Sequence, residues 1–238
     1  MAEPTSPTIY DLGMHNGDDT EYYLSKGYRV VAVEANPLLC EEAAQRFASE
    51  IAAGRLSILN LAIAEEAGSA DFYVKRERAP QSSLRPPKDM TGWHTVTVRT
   101  APLADIVERA EDVAFMKIDI ERMDIAALDS LIGARIRPPL ISAEAHSFEV
   151  LLKLYELGYR RFRLVNGGVV HREHKRRRIT LQDGRQEVYR FRPGSSGPFG
   201  EDLPGPWMDV AQAAYTWFGR QTMLGNGWYD LHAAADDV

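Results

Sequence analysis

Two stretches decide the fold of this chain: Thr8-Ile9-Tyr10-Asp11-Leu12-Gly13-Met14-His15-Asn16-Gly17 and Arg29-Val30-Val31-Ala32-Val33-Glu34. They predict a strand, a glycine turn, a helix and a second strand that ends on an acidic residue. This layout binds an adenosine-containing cofactor at the carboxyl edge of a parallel sheet. We expect Gly13 to let the backbone approach the ligand and Glu34 to accept hydrogen bonds from both ribose hydroxyls.

The residues after the glycine turn favour one cofactor over another. A dinucleotide-binding turn has a third glycine, so that the pyrophosphate can lie against the helix N-terminus. Here Asp18 and Asp19 follow Gly17, and two carboxylates would repel a diphosphate. S-adenosylmethionine (SAM) has no phosphate and carries a cationic sulfonium and an ammonium. The sequence therefore favours SAM over NAD.

Apolar segments of strand length alternate with amphipathic segments of helix length, which is typical of a parallel sheet flanked by helices. We expect one α/β domain over residues 1–238, with a Rossmann-like fold and a variable β-excursion and loop at about 160–206 that turns at 166–168. Strands are predicted at 8–12, 29–34, 56–62, 70–74, 95–98, 114–121, 140–146 and 161–165. Helices are predicted from Asp18 or Asp19 as the cap to about 26, from Pro37 to before Gly54, and at 124–132, 148–157 and 208–218. Residues 75–93 and 192–202 are predicted to be mobile loops that cover the acceptor.

Composition argues against several classes of protein. The net charge of −6 opposes nucleic acid as the main partner, because phosphate contacts need a broad basic surface. No apolar segment approaches the ~20 residues that span a bilayer, and residues 1–7 lack the pattern of a secretory signal. Cys40, the one cysteine, excludes an internal disulfide and is expected to be a small core hydrophobe. We therefore expect a cytoplasmic protein with no membrane span; a homodimer is left open.

One region departs from this acidic average. Arg160, Arg161 and Arg163 precede a basic run at 171–178. The favoured interpretation is the solvated face of a long β-excursion. The alternative is a surface for an anionic substrate, partner or lipid head group.

Polar residues follow the predicted strands where ligands bind in open α/β sheets. They are Asp11, Glu34, Asn60, Asp119, Glu121, Glu144 and His146. Two unit charges at ~4 Å repel by about 4 kcal/mol at an effective dielectric of about 20. Asp119, Glu121 and Glu144 would therefore take up a proton or hold a cation, and oxygen ligands select a hard ion such as Mg²⁺.

The same edge offers a base for proton removal from an acceptor. His146 is predicted to take that proton, because an unperturbed histidine has a pKa of about 6.5. The alternative makes Glu121 the base and His146 a metal or substrate ligand. The chain lacks the Asn-Pro-Pro-Tyr or Asp-Pro-Pro-Tyr segment associated with amino-group methylation on bases. An oxygen acceptor is therefore favoured. Asp119, at the same edge of the sheet, is a third candidate for a catalytic residue.

Four motifs in this order resemble the FkbM family of class I SAM-dependent methyltransferases. They lie at 11–17, 33–37, 60–62 and 116–121, and the resemblance covers about 9–145. It implies a mostly parallel seven-stranded sheet with one antiparallel strand, and methylation of sugar or polyketide hydroxyls. It puts Asp11 and Gly13 near the methionine part of SAM, Glu34 on the ribose, and Asn60 and Ala62 near the adenine. His15, Asn16 and Ala35 complete the predicted cofactor set.

The chain departs from the family at two positions. His15 stands where the family often has Asn, which leaves the contact of that residue open. Arg122 stands where the family usually has Gly, and its side chain is expected to reshape the acceptor pocket. The chain is also similar to sugar O-methyltransferases of methylated polysaccharides, including methylmannose polysaccharide.

These observations predict a SAM-dependent O-methyltransferase that acts on a sugar hydroxyl, assisted by Mg²⁺. The alternatives are an NAD-dependent sugar-modifying enzyme and a non-catalytic SAM- or nucleotide-binding module. Four aromatic residues are candidates for stacking on sugar rings: Trp93, Trp207, Trp228 and Tyr229.

Overall fold

The computed structural model describes residues 7–75, 82–107, 112–203, 205–224 and 227–235. Over these residues the chain forms a seven-stranded sheet in the order β3-β2-β1-β7-β8-β12-β9. The pairs among β3, β2, β1, β7 and β8 are parallel, whereas β12 runs antiparallel to both β8 and β9. The expected Rossmann-like α/β class, with one antiparallel strand in the sheet, is confirmed.

The strands and helices have the following bounds. The strands are β1 Thr8–Leu12, β2 Arg29–Glu34, β3 Leu56–Asn60, β4 Ala62–Ile63, β5 Gly68–Lys75, β6 Trp93–Ala101, β7 Val113–Ile118, β8 Leu140–Glu144, β9 Arg161–Asn166, β10 Arg177–Thr180, β11 Gln186–Tyr189 and β12 Tyr229–Ala234. The helices are α1 Asp18–Ser25, α2 Pro37–Arg46, α3 Ala48–Ala52, α4 Asp124–Ala134, α5 Phe148–Glu156, α6 Val170–Glu173 and α7 Val210–Leu224.

The central strands are apolar along their length because both faces of the sheet are covered. Along β1, Tyr10 and Leu12 belong to a core that also takes in Leu128 of α4 and Leu151 of α5, whereas Ile9 belongs to a second core on the α1 face. Each large apolar side chain buried in this way contributes about 1.5–3 kcal/mol. Asp11 alternates with Tyr10 and Leu12 along β1, so its side chain lies on the same face as Ile9, which α1 covers.

The segment at 170–203 covers the α1 face of the sheet. The Phe199 ring stacks on Phe115 of β7 with centroids 4.4 Å apart. Tyr22 of α1 meets the rings of Tyr189 and Phe191 at 5.0 and 4.8 Å. These contacts fix the excursion against the body of the protein.

Several predicted elements are corrected. The predicted cap of α1 is wrong, because Gly17, with φ of 78°, caps the helix, and Asp18 and Asp19 lie in its first turn. The strand predicted at 56–62 splits after Asn60, and Ala62 joins a second sheet of order β4-β6-β5.

The predicted turn of the excursion at 166–168 is also wrong. Asn166 ends β9, a short 3-10 helix and α6 follow, and the hairpin turns between Thr180 and Gln186. Of the loop predicted at 75–93, residues 76–81 lie outside the described residues. Cys40 is buried, as expected, and burial raises the pKa of its thiol to about 12.

Candidate functional site

A cavity of about 590 Å³ opens beyond the carboxyl ends of β1, β2, β7 and β8. Most of the predicted site residues line it: Gly13, His15, Asn16, Glu34, Ala35, Ala62, Asp119, Glu121 and Glu144. The remaining three, Asp11, Asn60 and His146, are not among the lining residues. The volume lies within the range of about 300–1,000 Å³ that small-molecule sites usually have.

Gly13 is required by the approach of two strands. A Cβ atom placed on Gly13 would lie 1.8 Å from the carbonyl oxygen of Asp119, and its φ is +79°. Its backbone N–H donates to Val33 O at 2.9 Å. We expected this glycine to make room for a ligand, whereas the atom it makes room for belongs to the chain after β7.

Glu34 supports the turn as well as facing the cavity. Its Oε2 accepts the backbone N–H of His15 at 2.9 Å, and its Oε1 accepts that of Asn36 at 2.8 Å. Burial is the main cause that raises the pKa of Glu34, and these hydrogen bonds oppose it. Asn60 supports the same residue from behind, because its Nδ2 donates to Glu34 O at 3.0 Å and to Ala35 O at 3.1 Å.

The backbone conformation at His15 restricts which residue types suit this position in the turn. His15 has a φ of 52°, in the left-handed region. Asn and His are both enriched there among non-glycine residues, so either residue suits this position in the turn. Burial, followed by the charge of Lys117, lowers the pKa of His15, which keeps its imidazole neutral at pH 7.

Lys117 is the most important residue at the site that the sequence argument did not single out. Its Nζ donates to Gly13 O at 3.3 Å and lies 3.5 Å from Asp11, 3.4 Å from Asp119 and 3.7 Å from Asp19. Burial alone would lower the pKa of Lys117, but the charges of Asp119, Asp11 and Asp19 raise it. An apolar strand interrupted by one lysine between Met116 and Ile118 was the available signal.

Asp11 does not line the cavity but contacts Lys117, which does. It is fully buried, and its Oδ2 accepts a hydrogen bond from Thr20 Oγ1 at 2.6 Å. Its Oδ1 faces Lys117. This buried carboxylate thus contacts and orients both the Lys117 ammonium and the Thr20 hydroxyl.

The two aspartates at the start of α1 hold a loop over the cavity. Asp18 Oδ1 meets Arg46 and Arg192 at 3.0 Å each. Asp19 Oδ1 accepts Ser195 Oγ at 2.5 Å and the backbone N–H of Ser196 at 3.1 Å. Between these anchors, Pro193 and Gly194 line the cavity.

Contrary to the sequence prediction, the two aspartates do not both provide negative charge to the cavity. Asp18 is paired with arginines and does not line the cavity, so it does not provide the expected charge near a sulfonium. Asp19 does line it, and burial raises the pKa of its carboxyl. The acidic side chains that a cationic cofactor would need are instead spread over the cavity: its lining residues include Asp19, Glu34, Asp119, Glu121 and Glu144, beside one lysine, Lys117.

Glu121 and Arg122 form a strained backbone corner after β7. Their φ angles are 44° and 74°, and the Glu121 carbonyl accepts Ser83 Oγ at 3.0 Å. The left-handed conformation at position 122 is one that glycine adopts without strain and arginine does not. Arg122 is exposed, whereas Glu121 lines the cavity, and burial followed by the charges of Glu144 and Asp119 raises the pKa of Glu121 to about 7.

His146 lies between two carboxylates. Its Nε2 is 3.0 Å from Asp124 Oδ2, and its Nδ1 is 3.2 Å from Glu144 Oε2. Asp124 and then Glu144 raise the pKa of His146 to about 10. The imidazole is therefore protonated at neutral pH, and it holds Glu144 at the rim of the cavity.

Trp228 forms a wall of the cavity on the side of β12. Its Nε1 donates to Asp230 Oδ1 at 3.2 Å, and burial raises the pKa of that carboxyl. A Cβ on Gly167 would lie 2.4 Å from the indole ring, so the absence of a side chain there makes room for the tryptophan. Of the other predicted stacking residues, Trp207 packs under Arg163 with 4.1 Å between guanidinium and ring.

The predicted metal ligands do not form a metal site in the part of the chain that the structure describes. Asp119, Glu121 and Glu144 all line the cavity. Yet the described residues contain no group of three or more His, Cys, Asp or Glu side chains arranged to hold a metal ion. Asp119 contacts Lys117 and Glu144 contacts His146, so each has a protein cation as its partner.

The model of the family described as the methyltransferase FkbM domain matches residues 11–161. No curated protein has a sequence significantly similar to this chain. Among the described residues, no helix has both the length and the apolar character needed to cross a membrane.

The fold is similar to three solved methyltransferase structures. The C-terminal domain of precorrin-6Y C5,15-methyltransferase from Rhodobacter capsulatus is 13% identical, with 99% of this chain and 83% of that chain covered and a TM-score of 0.44. Precorrin-6y C5,15-methyltransferase from Geobacter metallireducens is 11% identical, with 98% of this chain and 81% of that chain covered and a TM-score of 0.40. A SAM-dependent O-methyltransferase from Thermotoga maritima is 11% identical, with 98% of this chain and 60% of that chain covered and a TM-score of 0.42.

Proposed function

This chain belongs to the FkbM family of SAM-dependent methyltransferases, and we propose that its acceptor is a hydroxyl group of a sugar or oligosaccharide, such as a mannoside of a methylated polysaccharide. SAM supplies a methyl group on a cationic sulfonium. The residues of the chain then have two tasks: to hold cofactor and acceptor in line, and to take a proton from the acceptor hydroxyl.

Glu34 is proposed to bind the ribose. Each of its carboxylate oxygens accepts one backbone N–H and retains a further lone pair for a hydroxyl. Ala35, Leu39 and Ile63 give the cavity an apolar part suited to the adenine. The rest of the proposed cofactor set lies around these residues or supports them from behind: Asp11, Gly13, His15, Asn16, Asn60 and Ala62.

Glu121 is proposed to be the base. Its pKa of about 7 leaves the carboxylate half-ionised near neutral pH, which is where a general base works best. His146, the other candidate, has a pKa of about 10 and is already protonated at pH 7. The charge states therefore support Glu121 as the base. In this assignment His146 orients Glu144, and Asp119 faces Lys117. The position of Glu121 in the cavity wall together with Asp119 and Glu144 is the observation that carries this proposal, and its raised pKa supports it.

A sugar acceptor is supported by the composition of the cavity. Trp228 and Phe72 bring aromatic rings to its wall, and Glu121 and Glu144 bring hydrogen-bond acceptors. An apolar ring face beside directed oxygen acceptors suits a molecule that has both C–H faces and hydroxyl edges. Assistance by Mg²⁺ rests on the sequence prediction alone, because the ligand set above does not fit the ion; we assign no step to it.

Methyl transfer from labelled SAM to a panel of sugars tests the proposal. We expect Glu121→Gln to lower kcat by roughly 10²- to 10⁴-fold, the usual range for loss of a general base, with the affinity for SAM in calorimetry unchanged. Exposed Glu65 provides a control, and Glu65→Gln should keep the full rate. In the unsubstituted protein kcat should rise as the pH passes about 7, because the Glu121 carboxyl must lose its proton first.

Each of the following outcomes would contradict a part of the proposal. Full activity of Glu121→Gln, with activity abolished in His146→Gln, would make His146 the base. Transfer to amines but not to sugars would exclude the hydroxyl acceptor. Binding of SAM without transfer to any acceptor in the panel would support the non-catalytic module, and calorimetry with NAD tests the remaining alternative. Loss of turnover in EDTA, restored by Mg²⁺, would reinstate the metal.

A further inference from the structure

The β10–β11 hairpin has two faces of different character. On the inner face Ile179 is 1% exposed, Tyr189 packs on Tyr22 with ring centroids 5.0 Å apart, and Arg177 donates to the carbonyl of Asp202. On the outer face Arg178 lies opposite Val188, which is 58% exposed. The hairpin is thus fixed to the protein by one face while the other is presented to solvent.

The outer face and its surroundings are strongly basic. Residues 170–192 contain eight lysines and arginines against three acidic residues, in a chain with a net charge of −6. The exposed cations of this surface, which we call the basic face, are Arg172, Lys175, Arg176, Arg178 and Arg190.

The cations of the basic face are not paired within the part of the chain that the structure describes. None of its five cations forms an ion pair with another described residue, whereas the turn of the same hairpin is internally paired. There Arg185 lies 2.7 Å from Asp183 and 3.7 Å from Glu187. The cations of the basic face are therefore available for an external anion.

We propose that the basic face docks on the surface of an anionic phospholipid bilayer. Clustered arginine and lysine side chains are attracted to anionic headgroups, and exposed Val188 lies among them as an apolar group that can enter the headgroup boundary. The acidic remainder of the protein is repelled by the same bilayer, so the field turns the basic face toward it. This inference goes beyond methyl transfer and does not depend on the acceptor.

Nucleic acid is a poorer match for the same surface. Single-stranded binding uses aromatic platforms beside a basic groove, but Tyr189 and Phe191, the aromatic residues of this hairpin and its exit, pack on each other at 4.9 Å and on Tyr22. The apolar group exposed between the arginines is aliphatic, which suits a lipid boundary better than a base.

The basic face is connected directly to the candidate site. The chain leaves β11 through Arg190 and buried Phe191, and Arg192 then contacts Asp18 and Glu21 at 3.0 and 3.1 Å. The next residues, Pro193 and Gly194, line the cavity. Docking through the basic face would hold this loop and the cavity close to the bilayer surface.

Vesicle co-sedimentation tests the proposal with the full chain. We expect binding to vesicles of phosphatidylcholine mixed with phosphatidylglycerol, no binding to phosphatidylcholine alone, and release at ~1 M salt, where the Debye length falls to about 3 Å. Arg178→Gln combined with Arg190→Gln should lower the partition coefficient roughly 25-fold, because each cation near the surface contributes about fivefold. Val188→Asp should weaken binding without removing a cation.

A matched control separates the basic face from total charge. Arg99 is exposed on β6, outside the basic face, and Arg99→Gln should bind vesicles as the unsubstituted protein does. Melting temperature and SAM affinity should be unchanged in every variant, since the substituted side chains are exposed. Equal binding to neutral vesicles, full binding by the double variant, or binding to oligonucleotides but to no vesicle would each overturn the proposal.

Discussion

At the scale of single residues, the site is organised by a few left-handed backbone positions. Gly13, His15, Gly17, Glu121 and Arg122 all have positive φ, and three of them, Gly13, His15 and Glu121, line the cavity. Such conformations cost of order 1–3 kcal/mol at non-glycine residues and tend to cluster at functional sites. Here the strained backbone conformation places Glu121 in the cavity lining, while Arg122 remains exposed.

Arg122→Gly should stabilise the protein. Glycine removes the side-chain penalty of a φ of 74°, and part of that gain is offset by the added freedom of the unfolded chain. We expect the free energy of unfolding in urea to rise by about 0.5–1 kcal/mol.

Two other arginines act as controls for this prediction. Arg135 ends α4 with a φ of 57°, so Arg135→Gly should also stabilise the protein. Arg99 lies within β6, where Arg99→Gly should destabilise it. A lower stability for Arg122→Gly would mean that its side chain makes contacts that outweigh the strain.

At the scale of elements, the N-terminus of α1 links the excursion to the cofactor site. Its two aspartates hold the loop at 192–196 through charge-assisted hydrogen bonds. Each such bond to an ionised group contributes about 1.5–3 kcal/mol. The helix start therefore fixes the loop instead of binding the ligand by itself.

Ser195→Ala should loosen this loop. Ser195 is buried and does not line the cavity, yet its hydroxyl donates to Asp19 Oδ1. Its loss leaves Asp19 with the Ser196 amide as loop contact, so we expect faster proteolysis within 192–197 and roughly tenfold weaker SAM binding, equivalent to about 1.4 kcal/mol. Exposed Ser57 on β3 provides the control substitution Ser57→Ala. Unchanged proteolysis and SAM affinity in Ser195→Ala would show that the loop is held by other contacts.

At the scale of the whole molecule, β12 completes the sheet. It pairs with β8 along one side and with β9 along the other, both antiparallel. It therefore joins β9 to the rest of the sheet, whereas β8 also pairs with β7. Ala233, with no exposed surface, lies in the middle of this arrangement. The strand also carries Asp230 beside Glu144 of the site.

Ala233→Asp should therefore unfold or severely destabilise the protein. A carboxylate placed there is buried without a partner, which costs several kcal/mol, comparable to the total stability of many domains. Thr95→Asp on the exposed face of β6, where residue 95 lies opposite Tyr73, is the matched control and should unfold at the concentration of urea that unfolds the unsubstituted protein. Cooperative unfolding of Ala233→Asp at an unchanged urea midpoint would mean that β12 contributes little to the sheet.

The sequence alone determined the alternation of strands and helices over residues 8–166, the family and the edge of the sheet at which the site lies, whereas β10, β11 and β12 were not among the predicted strands. It could do so because local periodicity is set by neighbouring residues, and because the carboxyl ends of parallel strands meet at one edge. Glu34, Glu121 and Glu144 were predicted in this way, and all three line the cavity.

The tertiary structure alone decided which of these polar groups face the cavity, and in which charge state. Lys117 gathers Asp11, Asp19 and Asp119 from three separate segments, and His146 is clamped between Asp124 and Glu144. A pKa depends on burial and on charges a few ångströms away, wherever they lie in the chain. No spacing along the sequence encodes those distances, because they arise only when strands and helices pack.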